Sequence, residues 1–335
     1  MIRCALVSGK DMGLLHGRNF HKNPGARVVA VCDTDPALLA KAQKEFGAPG
    51  YPTLEALLAN CDAELVLLIV NETRRIAPLG QLLAAGRQVF TEKPLCGMDG
   101  QYRVREEDAA VAAPAIRAWR SSGRALGINY NYRFFRHFRK LHDDVAEGRL
   151  GRIQMVRARA HFNCWSHVID QILWTMGRPE WVSVEGRPDE PGGWQRLIRM
   201  KWAGGAAGEL DGSNAWGFDD HPLRLMILGD RRYGEARGLK GWYRRSKAGS
   251  WPGEVEELWE AEQGAGDYHE YEASFGRMAD AVVDALEARR PFPADGGAAW
   301  DELVFEAAVH RSALSGGERV RLDDVEAKAM GAAAR

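Results

Sequence analysis

The sequence predicts an α/β protein in which an N-terminal doubly wound half is joined to a C-terminal α+β domain with a large, mainly antiparallel open sheet. Three observations predict it. The chain has 335 residues, 45% of them hydrophobic, enough for a sizeable core and past the size at which one core usually keeps growing. Over residues 1–130 short apolar runs alternate with helix-length amphipathic segments, the pattern of a parallel sheet with crossover helices. From Phe134 the strands become period-two with polar alternate positions, which describes a sheet covered on one face.

In chain order, IRCALV is the first strand, followed by a glycine-containing turn and a helix over residues 13–22. ARVVAVCD is the second. Pro36 opens a helix, PALLAKAQKEFG, that stops at Gly47. TLEALLAN is a short helix, AELVLLIV a buried strand, IAPLGQLLAAG a helix closing on Gly86, and RQVFTEK a further strand. A polar, alanine-rich helix leads to ALGINYNYR, the last strand of this half. The division falls at residue 130, giving domains 1–130 and 131–335. In the second, the helix FFRHFRKLHDDVAEG precedes the strands IQMVRARAHF and QRLIRMKW, a hairpin turns at Gly204 and Gly205, and residues 229–262 carry strand-like pieces rich in Trp, Arg and Glu. Two helices, YHEYEASFGRMADAVVDALEARR and WDELVFEAAVHRSALSGG, close the chain, with the C-terminal helix free to pack back on the first domain.

Lys and Arg number 45 against 46 Asp and Glu, so the net charge of -1 offers no field for nucleic acid or an anionic membrane, and a small-molecule partner is expected. The five cysteines are odd in number and lack a C-x-x-C pair, which suits a reducing cytoplasm and neither a disulfide framework nor a zinc site. No run approaches the roughly 20 apolar residues of a membrane span.

A dinucleotide fold places glycines after the first strand, where backbone turns tightly and a pyrophosphate meets a helix N-terminus. Here that segment is VSGKDMGLLH, with Gly9 and Gly13. Asp33 ends the second strand 20 residues beyond Gly13, the place of a carboxylate that binds ribose hydroxyls and repels a 2'-phosphate, so NAD is expected over NADP. A plain glycine turn, with Asp33 capping the next helix, accounts for these two features equally well.

TEKPL, ending a strand of this half, resembles the glucose-fructose oxidoreductase and inositol dehydrogenase family, Gfo/Idh/MocA. MGLLH, AAGRQVFTEKPL, NYRFFRHFRKL with EGRLGRIQMVRA, SHVIDQILWTMGRPE and AAWDELVFEAAVHRSALSGGERVRL follow in the family's order over nearly the whole chain. The resemblance implies a Rossmann domain, an NAD cofactor and a catalytic lysine, Lys93, beside nicotinamide and substrate. It gives His167 as the companion histidine, and Glu92 as the residue that orients the lysine or contacts the cofactor. Asp170 matches the family's acidic residue three positions on, and Asn131 and Arg133 border the same cleft. These and Trp165, a surface for stacking a ring, are the candidate substrate residues. An amine or imidazole tuned by burial or neighbouring charge removes the hydroxyl proton as hydride leaves the carbinol carbon.

The chain departs from the family in three places. Ser8 and Lys10 stand where the turn has glycines, while Met12, Gly13 and His16 match. The T-P-x-x-x-H loop reads VNETRR, with Asn71 for the proline and Arg75 near the histidine's place. Asn163 replaces the aspartate four residues before His167, and an amide can orient a group without accepting a proton. Hence His167 is expected to be less basic, Lys93 to carry the proton transfer, and Asn163 to hydrogen-bond the substrate. The cofactor set is Ser8, Gly9, Lys10, Met12, Gly13, Asp33, Asn71, Arg75, Glu92 and Lys93. His161, Asn163 and His167 lack a carboxylate partner, so no metal is expected. The function implied is an NAD-dependent dehydrogenase of a sugar, amino sugar or cyclitol hydroxyl. The alternatives are an imine-reducing or redox-neutral NAD-using relative, or a non-catalytic ligand-binding member. The open sheet, with apolar alternate positions, is expected to pair face to face in a homodimer or homotetramer.

Overall fold

A computed structural model describes residues 1–186, 195–214, 223–249 and 254–332. Residues 250–253, within the strand-like stretch 229–262, and the last three residues of the second domain lie outside these. The first half forms a six-stranded parallel sheet of β1 (Ile2–Val7), β2 (Ala26–Cys32), β3 (Gly50–Tyr51), β4 (Leu65–Leu68), β5 (Gln88–Thr91) and β6 (Leu126–Ile128). Their spatial order is β3, β2, β1, β4, β5, β6. The reversal of direction beside β1 is the topological switch point, where open α/β sheets bind ligands beyond the strands' carboxyl ends. The intervening helices are α1 (Asp11–Lys22), α2 (Pro36–Phe46), α3 (Leu54–Asn60), α4 (Ile76–Ala84) and α5 (Glu106–Ser122). The run ALGINYNYR keeps only three residues as strand, because the chain then turns into a 3-10 segment, Asn131–Phe134, that carries it out of the sheet.

After α6 (Arg136–Ala146) come β7 (Ile153–Ala160) and α7 (Trp165–Met176). There follow β8 (Trp181–Gly186), β9 (Gln195–Lys201), β10 (Ala207–Ser213), β11 (Leu223–Gly229), β12 (Tyr233–Arg237), β13 (Trp242–Ser246) and β14 (Val255–Glu260). Helices α8 (His269–Glu287) and α9 (Gly296–Leu314), strand β15 (Val320–Arg321) and helix α10 (Leu322–Ala332) complete the order. The nine strands lie in the order β14, β13, β12, β11, β7, β10, β9, β8, β15. Among the described residues only β7 and β10 pair in parallel, so the sheet is mixed and mostly antiparallel, and β9 and β10 form the hairpin expected around Gly204 and Gly205.

The C-terminal helices complete the first half. Phe275, Met278, Val282 and Val283 of α8 share one apolar cluster with Leu6, Leu14 and Phe20, filling the helix layer on one face of the parallel sheet. On the other face α9 and α10 pack on α5, where Arg117 donates to the Met330 carbonyl at 3.0 Å.

The open face of the large sheet, expected to be apolar, mixes apolar and charged positions: Met155, Leu197, Met226 and Leu228 are partly exposed on it. Its outward positions carry cross-strand charge pairs, Arg157 with Glu209 at 3.4 Å and Arg199 with Glu185 at 2.7 Å. Glu235, buried on β12, lies between Arg224 at 2.6 Å and Arg244 at 3.0 Å, and the Arg237 guanidinium sits 4.0 Å from the Trp242 ring centre. The period-two rule holds, and these polar alternates pair with neighbouring strands.

Candidate active site

The β1–α1 turn is shaped by close packing. A Cβ at Gly9 would fall 2.3 Å from the Leu38 carbonyl oxygen, and one at Gly13 would fall 2.8 Å from Ser8. Both glycines let α1 approach its neighbours; Gly9 packs against α2, and the cavity wall here is formed by Ser8, Lys10 and Met12. Ser8 holds φ 153° without glycine's freedom, and its Oγ accepts the Lys10 backbone N–H at 3.2 Å. Asp33 Oδ2 accepts the Gly9 N–H at 2.6 Å and Oδ1 the Asp35 N–H at 2.9 Å, so the carboxylate at the β2 end braces the turn and borders the cavity. Asp33 does not cap the next helix. That cap is Asp35, which accepts from Ala37 and Leu38 at 2.8 and 3.3 Å.

The cavity, about 990 Å³, runs from Asp33 past the ends of β1 and β4 to the ends of β5 and β6. At β5, Glu92 accepts from His16 Nε2 at 2.6 Å, Asn129 Nδ2 at 2.8 Å and the Lys93 N–H at 3.0 Å. Burial pushes the Glu92 carboxyl up, but the hydrogen bond from His16 and the positive charge around it, Lys93 and Arg75 included, outweigh burial and hold it at about 2. Arg75 is wholly buried. Its guanidinium donates to the Val70 carbonyl at 2.7 Å and to the Pro94 carbonyl, tying the VNETRR loop to the segment after Lys93. Asn71, also on the cavity wall, accepts the Thr73 N–H at 3.0 Å and starts that loop's 3-10 turn.

Lys93 Nζ donates to Gln101 Oε1 at 3.0 Å, and the Gln101 N–H is held by Glu72 at 2.8 Å. Across the cavity Asn163 Oδ1 accepts the Tyr102 hydroxyl at 2.6 Å, and Arg196 of β9 donates to the Tyr102 carbonyl at 3.2 Å. The segment after Lys93 thus bridges the two sheets. His167 is buried, with its ring stacked on Tyr132 at 4.0 Å and Nδ1 unpartnered. Burial, and then the charge of Lys93, push its pKa well below the ordinary 6.5, so it is a neutral group at physiological pH. The expected weak basicity of His167 therefore has a cause besides Asn163.

Asn131 lines the cavity as expected, but three residues expected to meet substrate do not. Arg133 and Asp170 close on each other: Nη2 lies 2.5 Å from Oδ1 and Nε 2.9 Å from Oδ2, both side chains are buried, and Arg133 Nη1 donates to the Pro293 carbonyl at 2.7 Å. Trp165 lies beneath the site with its indole N–H on Glu306 at 2.9 Å, packed so closely on β10 that a Cβ at Gly212 would fall 2.2 Å from its ring. Sequence reasoning missed Gln101, Asn129, Tyr132 and Tyr271 on the wall, and Tyr102, which holds Asn163. Only Asn129, two residues before Asn131, carried a signal. Among the described residues no group of three His, Cys, Asp or Glu side chains could hold a metal, and no helix is long and apolar enough to cross a membrane.

Below Trp165, Glu302 and Glu306 stack one turn apart on α9, both buried. Burial, then the neighbouring Glu306 carboxyl, push Glu302 well above the usual 4.5, so it is held protonated. A carboxyl raised in the fold contributes stability that is complete below about pH 4.5 and is lost as pH rises through its folded value. Glu302→Gln, neutral at every pH, should therefore gain on the parent chain in urea-denaturation midpoint from pH 4.5 to 9. A parent-chain lead that widens with pH would contradict this.

Residues 2–112 match the family model GFO_IDH_MocA, described as an oxidoreductase family with an NAD-binding Rossmann fold. Over those residues the chain is similar to the Gfo/Idh/MocA oxidoreductase family. It is similar to the inositol 2-dehydrogenase of Rhizobium meliloti (strain 1021), 24% identical over 46% of this chain and 44% of that one. The alignment thus spans less than half of this curated relative. Among solved structures, an oxidoreductase from Agrobacterium radiobacter, in complex with NAD+, L-tartaric acid and magnesium, superposes with TM-score 0.81 at 17% identity. It covers 96% of this chain and 99% of that one. The WlbA dehydrogenase from Bordetella pertussis, in complex with NADH and UDP-GlcNAcA, gives 0.76 at 20% identity over 96% and 97%. At these identities the likeness is one of fold alone.

Proposed function

We propose that this chain is a cytoplasmic NAD-dependent oxidoreductase that moves hydride between nicotinamide and a hydroxyl or carbonyl carbon of a sugar, amino sugar or cyclitol, with Lys93 as principal acid/base. One observation carries the reading: a single cavity joins the Asp33 carboxylate at the β2 end to the Lys93 amine at the β5 end. The relatives support it, one being an inositol dehydrogenase and one a dehydrogenase solved with NADH and UDP-GlcNAcA.

The wall fits a dinucleotide. Asp33 stands where ribose hydroxyls need an acceptor, the N-terminus of the 12-residue helix α1 offers backbone N–H groups, and Asn129 and Asn131 keep buried carbonyl oxygens without partners. Ser8, Lys10, Met12, Asn71 and Lys93 border the same cavity, with Gly9, Gly13, Arg75 and Glu92 shaping or charging its wall. NAD, when bound, supplies the hydride acceptor for alcohol oxidation. Lys93 Nζ takes the substrate's hydroxyl proton in that direction and returns it in reduction. Asn163 and Asn131 hold substrate oxygens, and neutral His167 offers a hydrogen bond. The open sheet forms the contact of a homodimer or homotetramer, its charge pairs setting the register.

Titration with NADH and NADPH, followed by a dehydrogenation screen of sugars and inositols, tests the reading. NADH is expected to bind more tightly than NADPH, and Lys10→Glu, reversing a charge beside the turn, to weaken NADH about tenfold, as one lost charge-assisted contact would. A chain that binds neither nucleotide is the non-catalytic alternative.

A further inference from the structure

Two amides at the exit of β6 are locked by chemistry. Asn129 Nδ2 donates to Glu92 Oε1 at 2.8 Å, and Glu92 is an ionised carboxylate that only accepts. The amide therefore cannot be flipped: its nitrogen belongs at Glu92 and its oxygen at the other end. Asn131 is fixed by similar logic. Its Nδ2 lies 2.7 Å from Ser274 Oγ, whose own hydrogen is given to the Tyr271 carbonyl at 2.6 Å, so the amide must donate. Both residues line the cavity, both are at most 2% exposed, and both Oδ1 atoms lack a hydrogen-bond partner. A buried amide oxygen without a donor is costly, about 1–3 kcal/mol, so the pair calls for ligand N–H or O–H groups.

Their places in the fold differ. Asn129 extends the β6 edge, its N–H on the Thr91 carbonyl at 2.8 Å, next to Glu92 and Lys93. It lies across the sheet from Asp33, with β1, β4 and β5 between β2 and β6. Asp33 is the ribose acceptor at one end of the proposed dinucleotide site, and Asn129 stands at the other.

We propose that Asn129 is a cofactor-binding residue whose fixed carbonyl accepts an N–H of the nicotinamide carboxamide, with Glu92 as the group that orients it. The assignment rests on the dinucleotide reading above and adds to it a specificity contact that neither the EKP motif nor Asp33 supplies. It makes the site selective for a primary amide on the pyridine ring.

The test compares NADH with the reduced analogue in which a methyl ketone replaces the carboxamide, by fluorescence titration of the full chain. The ketone cannot donate, so the parent protein should bind NADH at least about fivefold more tightly. Asn129→Leu should bring the ratio close to one by weakening NADH, leaving analogue affinity within about twofold. Should the leucine variant not fold, Asn129→Gly removes the same amide with less bulk and is read the same way. Asn131→Leu should leave the ratio unchanged. Equal binding of the two nucleotides by the parent chain overturns the assignment while sparing the dinucleotide reading, as does a variant that weakens both equally. Failure of the parent chain to bind either nucleotide overturns both.

Discussion

Lys93→Met is expected to lower kcat by about 10²–10⁴-fold on the substrate found by screening, while NADH affinity changes little. Methionine keeps the length and apolar stem of the side chain and removes only the amine, which in the resting protein donates to Gln101 at 3.0 Å. Its expected partners are poor replacements. His167 is buried and pushed well below its ordinary pKa, so it is a neutral group that accepts a proton poorly. Asn163 is an amide, and Glu92, held at about 2, is occupied by three donors. A loss confined to KM would mean that Lys93 binds substrate without moving a proton. Undiminished turnover would remove it from the chemistry altogether.

Asp170→Ala is expected to destabilise the protein by about 3–5 kcal/mol, the cost of leaving a buried charge without its partner. The Arg133 side chain is 8% exposed and Asp170 1%, so water cannot substitute for the lost carboxylate. Arg133 would keep only the Pro293 carbonyl and the faces of Trp174 and Tyr130, 5.4 and 5.9 Å from its guanidinium carbon. The urea-denaturation midpoint reads the effect. Replacing both partners, Arg133→Met with Asp170→Leu, should recover most of the loss, since two apolar groups leave no orphaned charge. An unchanged midpoint in Asp170→Ala would show that the pair contributes nothing to stability.

That pair also marks the limit of what the sequence discloses. Residues 133 and 170 are separated by 37 positions, and a charge on a cleft-forming segment looks the same whether it faces a ligand or a partner. Trp165 was open to the same error: an aromatic two residues before His167 suits ring stacking, and the approach of β10 at Gly212 shows it to be packed. By contrast, the alternation of strand and helix through residue 130 was legible because β1, β2, β4 and β5 are buried on both faces and read as continuous apolar runs. Asp33, Glu92 and Lys93 were legible as cavity-lining residues because each follows a strand end, Asp33 by its spacing and Glu92 and Lys93 through the resemblance carried by TEKPL. Gln101 and Tyr102 were not. They belong to a loop whose partners, Lys93, Glu72, Asn163 and Arg196, come from both halves of the chain. Cross-strand neighbours are equally silent, so the charge pairs Arg157–Glu209 and Arg199–Glu185 were not foreseen.

A crystal structure of the chain soaked with NADH would show whether one cavity holds the whole cofactor with its nicotinamide beside Lys93. The adenosine ribose is expected on Asp33, the diphosphate at the N-terminus of α1 near Lys10, and the nicotinamide between Lys93 and Asn129. Nucleotide bound elsewhere, or a cavity that stays empty at saturating NADH, would contradict this placement.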